Sequence, residues 1–436
     1  MSIDVASHFP PDGKAELERT VAAHMRAIKG SHILQIADEV RTLKRSGRRV
    51  ADFTVGDFAS SEFPIPDVLR RKIAEAIDAG ETNYPPAPGT PELRNAIARF
   101  YDHSLGLAYP TESVIVASGA RPVLYGTWRL FVEPGDRTLS FVPAWNAGYY
   151  ADLTGASHTF VPTTPETNFH PTVAQVADNI QGVSLLSLTS PSNPTGTMLD
   201  RDVLGGIAEA VVAENKRRTS GRPLMMIYDQ VYWMLRAKER PHYNPVSLVP
   251  AVAPYVVQVD AISKCFAATG LRLGWAVMPS YLAGRMSMLI GHVGAWAPRP
   301  VQTATAWFLE HPDEIETYEE KMLEGVFARL NKLYDGLMGM KARGLPVDAV
   351  RPQGGIYLSF RVDLIGRGFD TNEAIRKALL EDASVAVVQF QAFDLAADTG
   401  WFRMSIGAIG LDAIDEALER IESTLQKWLA RDKRSA

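Results

Sequence analysis

Between residues 113 and 264 of this 436-residue chain, five short apolar, β-prone runs each end in a polar or glycine-rich turn and then pass into a helix-like pattern. Ser113–Ala117 leads to Ser118-Gly119-Ala120-Arg121, and Thr138–Val142 leads to Pro143-Ala144-Trp145. Val183–Leu188 leads to a turn spanning Ser190 to Gly196, Pro223–Tyr228 to Asp229-Gln230-Val231-Tyr232, and Val256–Ile262 to Ser263-Lys264. Strands alternating with helical segments pair in parallel and carry helices on both faces. Ligands of such sheets bind beyond the carboxyl ends of the strands. Every chemically capable group in this stretch stands at one of those ends, which predicts a single site along one sheet edge.

Flanking segments extend the pattern. Asp67 to Gly80 reads as a helix with Asp67 as N-cap, an apolar face of Val68, Leu69, Ile73 and Ile77, and Gly80 as its stop. Thr90-Pro91 opens another, with Leu93, Ile97 and Phe100 on one face. After about residue 310 the texture changes. A long helical pattern covers Pro312–Ala342, short strands follow near Gly355–Phe360 and Phe402–Ile406, and Leu411, Ile414, Leu418, Ile421, Leu425 and Trp428 mark a closing core-facing helix. The expected fold class is α/β: a large domain whose mostly parallel sheet has helices on both faces, plus a smaller α+β domain.

Composition removes several functions. Forty-five basic against fifty acidic residues leave a charge of −5, which argues against nucleic acid or an anionic membrane as partner. A single cysteine, Cys265, permits no intrachain disulfide and suits a reducing compartment, so the expected location is cytoplasmic, with the thiol packed in the core. The first twenty residues lack the basic and apolar regions of a secretory signal, and no run is long enough to span a bilayer. No HExxH, Cys/His cluster, GxxxxGK[ST] or GxGxxG is present, so neither a metal site nor a common nucleotide loop is expected.

The run from Ser263-Lys264-Cys265 to Arg272-Leu273-Gly274-Trp275 resembles the cofactor-lysine signature of the class I/II aminotransferases, fold-type I enzymes that use pyridoxal 5′-phosphate (PLP). The resemblance implies that Lys264 forms the Schiff base and Arg272 holds the phosphate. Chemistry asks for the same types: an amine that can be neutral near pH 7 and a planar fork for a dianion. Asp229 and Tyr232 resemble the residues at the pyridine nitrogen and phenolic oxygen, and Asn193 a second partner of that oxygen. Trp145 stands where the family stacks an aromatic ring on the pyridine. Ser118-Gly119-Ala120-Arg121 resembles the phosphate-cradling turn, with Gly119, Ala120 and Arg121 as cofactor contacts. Ala261 occupies a position where many members have a phosphate-binding serine, so Ser263 or backbone groups take that place.

Asn83-Tyr84 to Leu93-Arg94 resembles a segment whose tyrosine reaches the other subunit's cofactor phosphate, implying a homodimer with Tyr84 contributed across the interface. Gly56 matches a glycine where the backbone passes close to substrate, and Arg403, in Phe402-Arg403-Met404-Ser405, matches the arginine that grips the substrate α-carboxylate. The implied domains are an arm (1–20), an N-terminal part of the small domain (21–54), a large PLP-binding domain (55–310) and a C-terminal small domain (311–436).

The expected reaction moves an amino group between an L-amino acid and a 2-oxo acid by ping-pong turnover, with Lys264 as general base. Two alternatives stay open: a β-elimination lyase or cyclopropane-forming synthase with the same residues, and a PLP-binding regulatory module, which the roughly thirty residues before the family-like portion disfavour. Dicarboxylate-specific relatives use a second arginine from the neighbouring subunit, and Gly294 falls near that position. The expected substrate side chain is therefore other than an aspartate-type carboxylate, with Trp296 or Arg299 lining the pocket.

Overall fold

The computed structural model describes residues 2–9, 17–26, 28 and 30–435. Seven strands form the large sheet: β1 (Val114–Ala117), β2 (Arg137–Val142), β3 (Ser157–Pro162), β4 (Val183–Thr189), β5 (Met225–Asp229), β6 (Val256–Ala261) and β7 (Gly274–Val277). Their order across the sheet is β1-β7-β6-β5-β4-β2-β3. All five sequence-predicted strands are present, with ends shifted by one or two residues. The sheet is mostly parallel, as expected, and β7 is the exception, running antiparallel to both β1 and β6. β3 and β7 escaped the sequence reading. β3 is an edge strand whose residues are all exposed or half-exposed, so it lacks the apolar run of its buried neighbours, and β7 lies directly behind the Lys264–Arg272 segment.

Both sheet faces are covered, which explains the near-continuous apolar runs. Leu185, Ile227 and Val257 pack toward helices Ala120–Phe131 and Ser280–Val293. Their neighbours Leu186, Met226, Tyr228 and Val256 pack toward helix Arg201–Arg217. Register then lines up the strand ends. Asp229 pairs with Thr189 on one side and Val259 on the other, while Gly274 pairs with both Ala117 and Ala261.

The helix expected from Asp67 spans Asp67–Asp78, but Pro66 is its cap and Asp67 its first residue. Ile77 is 52% exposed rather than core-facing. At 3.6 residues per turn it stands about 180° from Val68. Helix Pro91–Leu105 starts as expected: the Thr90 hydroxyl accepts from the Leu93 amide, and Leu93, Ile97 and Phe100 are buried. Arg94 of that helix donates to the carbonyls of Thr111 and Val114, tying it to the start of β1.

The smaller lobe has an antiparallel sheet of β8 (Val347–Ala349), β9 (Tyr357–Val362), β10 (Val388–Gln389) and β11 (Trp401–Ser405), ordered β10-β11-β9-β8. Ala51–Asp52 pairs in parallel with Val385–Ala386, and helix His32–Arg45 packs its buried Ile36 and Val40 nearby. Helix Pro312–Ala342 begins against the large-lobe core at Ile315 and ends in the small-lobe core at Leu337 and Met340. The closing helix, Leu411–Ser435, buries Ile414, Ile421, Leu425 and Trp428. No helix among the described residues is long and apolar enough to cross a membrane.

Candidate active site

The carboxyl ends of β1, β4, β5 and β6 open on a cavity of about 380 Å³. Its lining includes Gly56, Ala120, Arg121, Trp145, Asn193, Asp229, Tyr232, Ser263, Lys264, Arg272 and Arg403. Of the sequence-predicted cofactor and substrate residues, Gly119 and Tyr84 fall outside that lining, as do Trp296 and Arg299. Gly119 is the turn residue immediately before Ala120, and Tyr84 lies elsewhere on the surface.

Lys264 follows β6 directly, on a short helical turn. Its Nζ donates to the Gly56 carbonyl at 2.5 Å. Burial, against the pull of Asp57 and with help from Arg403, Arg121 and Arg272, lowers its ammonium to about 8. An appreciable neutral fraction therefore exists at ordinary pH. Asp229 ends β5, and burial raises its carboxyl to about 7, only partly offset by an amide bond from Val231 at 3.2 Å.

Gly119 holds φ at +91°, and a Cβ there would fall inside the Arg272 guanidinium. Arg272, itself left-handed at φ +54°, donates to the carbonyls of Thr269 at 2.6 Å and Ser118 at 3.1 Å. The result is a guanidinium laid against a bare helix start, a natural seat for an anion. Arg121 is exposed at the rim with its guanidinium 4.8 Å from the centre of the Trp145 ring.

Arg403, on β11, crosses from the smaller lobe and is 1% exposed. It donates to Asn193 Oδ1 at 3.1 Å and to the Thr54 carbonyl at 2.5 Å, while its buried Nε has no partner. Among the described residues, Arg121, Arg272 and Arg403 have no carboxylate partner.

The cavity residues missed by the sequence reading include Asp57, Thr269 and Tyr357. Asp57 accepts from Thr269 Oγ1 at 2.5 Å and from the Phe58 amide at 2.7 Å. Tyr357, on β9, touches Tyr232 hydroxyl to hydroxyl at 2.7 Å. Asp57 follows Gly56 directly, and that adjacency was the available signal. Tyr357 is the diagonal cross-strand neighbour of Arg403, a relation visible only once β9 and β11 are in register.

Tyr84 is 83% exposed and meets Trp296 edge-on, ring centres 5.1 Å apart. Arg299 pairs with Glu81. Neither Trp296 nor Arg299 lines this chain's own cavity. Cys265 is buried, as expected, with Sγ against the Val231 carbonyl.

Known proteins share this architecture. The family model described as aminotransferase class I and II matches residues 48–421. A probable aspartate/prephenate aminotransferase of Rhizobium leguminosarum bv. phaseoli is 29% identical over 414 residues, covering 92% of this chain and 98% of that protein. An aspartate aminotransferase of Geobacillus stearothermophilus is 27% identical, covering 93% and 99%. The solved structure of Thermus thermophilus aspartate aminotransferase with maleate superposes with a TM-score of 0.84 at 26% identity, over 93% of this chain and 99% of that one. With the family model matched from before Gly56 to beyond Arg403, the chain belongs to the class I and II aminotransferases and is an aminotransferase of the fold-type I architecture.

Proposed function

We propose that the protein is a PLP-dependent aminotransferase that exchanges an amino group between an L-amino acid and a 2-oxo acid by ping-pong turnover, with Lys264 holding the cofactor and moving the proton. The observation that carries this reading is the charge of the cavity. A lysine with a lowered pKa lies among Arg121, Arg272 and Arg403, none of them paired with a carboxylate among the described residues. Such a cavity favours a dianionic phosphate together with a carboxylate.

The residues fit the group. Arg272, the backbone N–H groups at Gly119 and Ala120, and Ser263 would take the phosphate, with Arg121 at the rim. Trp145 would cover one face of the ring, Asn193 and Tyr232 would meet its phenolic oxygen, and Asp229 its nitrogen. Asp229 is costly to ionise while it lacks a cationic partner, and a protonated pyridine would supply one. When bound, the cofactor supplies an aldehyde for the incoming amine and a cationic ring that accepts the electron pair left at Cα.

The remaining work belongs to the chain. Arg403 holds the substrate α-carboxylate in its fork beside Gly56, which aims the Cα–H bond at Lys264. Lys264, as the neutral amine, removes that proton and returns it one position away. Tyr84, exposed and outside its own cavity, would serve the partner's phosphate site in a homodimer.

The test is spectroscopic. PLP-reconstituted protein should carry a visible absorption band that bleaches with the right amino acid and returns with a 2-oxo acid. A wild-type protein without such a band, or a band unchanged in Lys264→Ala, refutes the reading. The amino acid that bleaches fastest also decides the substrate. Relatives named for aspartate point to an acidic side chain, whereas Gly294 at the second-arginine position points away from one.

A further inference from the structure

Two phenol hydroxyls meet in the cavity wall. Tyr232 comes from the turn after β5, Tyr357 from β9 of the smaller lobe, and their oxygens are 2.7 Å apart. Both residues are buried, at 4% and 1% exposure, with ring planes 71° apart. Among the described residues neither hydroxyl has any other hydrogen-bond partner. Burial keeps both protonated, raising each above the usual phenol range. The pair thus owns two hydrogens, and only one can lie between the oxygens. The other must leave the pair, from Tyr232 or from Tyr357.

The surroundings choose which. The Tyr357 hydroxyl is pressed against Gly56, where an added Cβ would stand 2.8 Å from it. The Tyr357 ring is fixed from the other side by the Arg403 guanidinium, 4.7 Å from its centre. Its backbone is equally fixed. A Cβ on Gly196 would overlap the Tyr357 carbonyl, and Ser359 Oγ donates to the Thr195 carbonyl. Both side chains line the cavity, but it is Tyr232 that stands beside Lys264, whose Nζ is 5.9 Å from the Tyr232 ring centre.

We propose that Tyr357 is a positioning residue that donates its hydroxyl hydrogen to Tyr232, so that the Tyr232 hydrogen is committed to the phenolic oxygen of the bound cofactor. This deepens the functional reading above and rests on its placement of Tyr232. A hydroxyl that accepts one bond is a stronger donor in its next. Tyr357 therefore sharpens the hydrogen bond that stabilises the negative phenolic oxygen, although it touches neither substrate nor cofactor in that role. Because Tyr357 and Arg403 share the smaller-lobe sheet, the same lobe sets the carboxylate grip and the strength of the Tyr232 donor. The charged groups facing the tyrosine pair are Arg403, Asp229, Asp57 and Lys264.

The experiment is a double-mutant cycle on PLP-loaded protein, read as the pH midpoint of the visible band and as PLP affinity. Tyr232→Phe should raise the midpoint, because an oxygen that loses its donor becomes more basic. Tyr357→Phe should raise it in the same direction by roughly 0.2–0.5 of a pH unit. In the Tyr232→Phe background, Tyr357→Phe should add nothing. A purely structural role would lower thermal stability without moving the midpoint. If Tyr232→Phe moves the midpoint and Tyr357→Phe does not, the relay is wrong and the functional reading stands. An equal Tyr357→Phe shift in both backgrounds also overturns the relay. If Tyr232→Phe itself has no effect, the placement of Tyr232 fails and takes the relay with it.

Discussion

Asp229 shows how a side chain can be unfavourable for the folded chain and suited to a ligand. Burial raises it to about 7, whereas in an unfolded chain it titrates near 3.8. Between those values the folded, cofactor-free protein binds a proton that the unfolded chain has released. Stability from this group is therefore fully present below about pH 4 and is lost as pH rises through about 7. Asp229→Asn removes the titration. Cofactor-free variant and wild type should respond alike to denaturant near pH 4, and the variant should be more stable at pH 8 by about 2–4 kcal/mol. The same variant should lose nearly all turnover, since it cannot keep a pyridine nitrogen protonated. Denaturation curves at the two pH values check the first statement, and a wild type equal to or more stable than the variant at pH 8 defeats it. Lys264 and Asp229 were legible in the sequence because each stands alone at the end of an apolar run. Asp57 and Thr269 were not, since nothing local announces that Thr269 Oγ1 reaches back across the chain to Asp57.

The turn between β1 and helix Ala120–Phe131 does its work through backbone shape. Gly119 reaches φ +91°, and its missing Cβ leaves the space that the Arg272 guanidinium fills. Gly274 repeats the logic from the neighbouring strand, where a Cβ would press on the Ala120 nitrogen at 2.6 Å. Gly119→Ala should then strain the turn and displace Arg272 together, weakening PLP binding by at least about tenfold, which corresponds to about 1.4 kcal/mol. Equilibrium titration with PLP measures it, and an unchanged affinity would remove the cradle from the argument. The five predicted strands before Lys264 were readable because each is largely buried and mostly apolar and ends in a polar turn, even though residues such as Ser140, Ser187 and Gln258 interrupt the runs. β7 was not, and its antiparallel direction is set by pairing with β1 and β6, which no single run of residues records. The same limit hid Tyr357. Its contact with Tyr232 joins residues 125 apart in sequence, and only the alignment of β9 with β11 brings it beside Arg403.

Across the whole molecule, the cavity draws Arg403 from the smaller lobe and Lys264 from the larger, so neither lobe alone lines it. We propose that the exposed Tyr84 extends that division beyond one chain. The residue is 83% exposed, outside its own cavity and supported edge-on by Trp296, in the segment whose family counterpart reaches the other subunit. If it completes the partner's site, two separately damaged proteins should repair each other. Lys264→Ala lacks the proton-moving amine but keeps Tyr84, and Tyr84→Ala keeps the amine but lacks the reaching hydroxyl. In a mixed dimer the site that retains Lys264 receives Tyr84 from the other subunit and is intact. Co-refolding the two variants should therefore restore up to about a quarter of wild-type activity, because about half of randomly paired dimers are mixed and each has one good site. Were Tyr84 to act within its own chain, the Lys264-bearing site of the mixed dimer would still lack it. Activity would then stay at the sum of the two damaged homodimers, and the shared-site assembly would have to be abandoned.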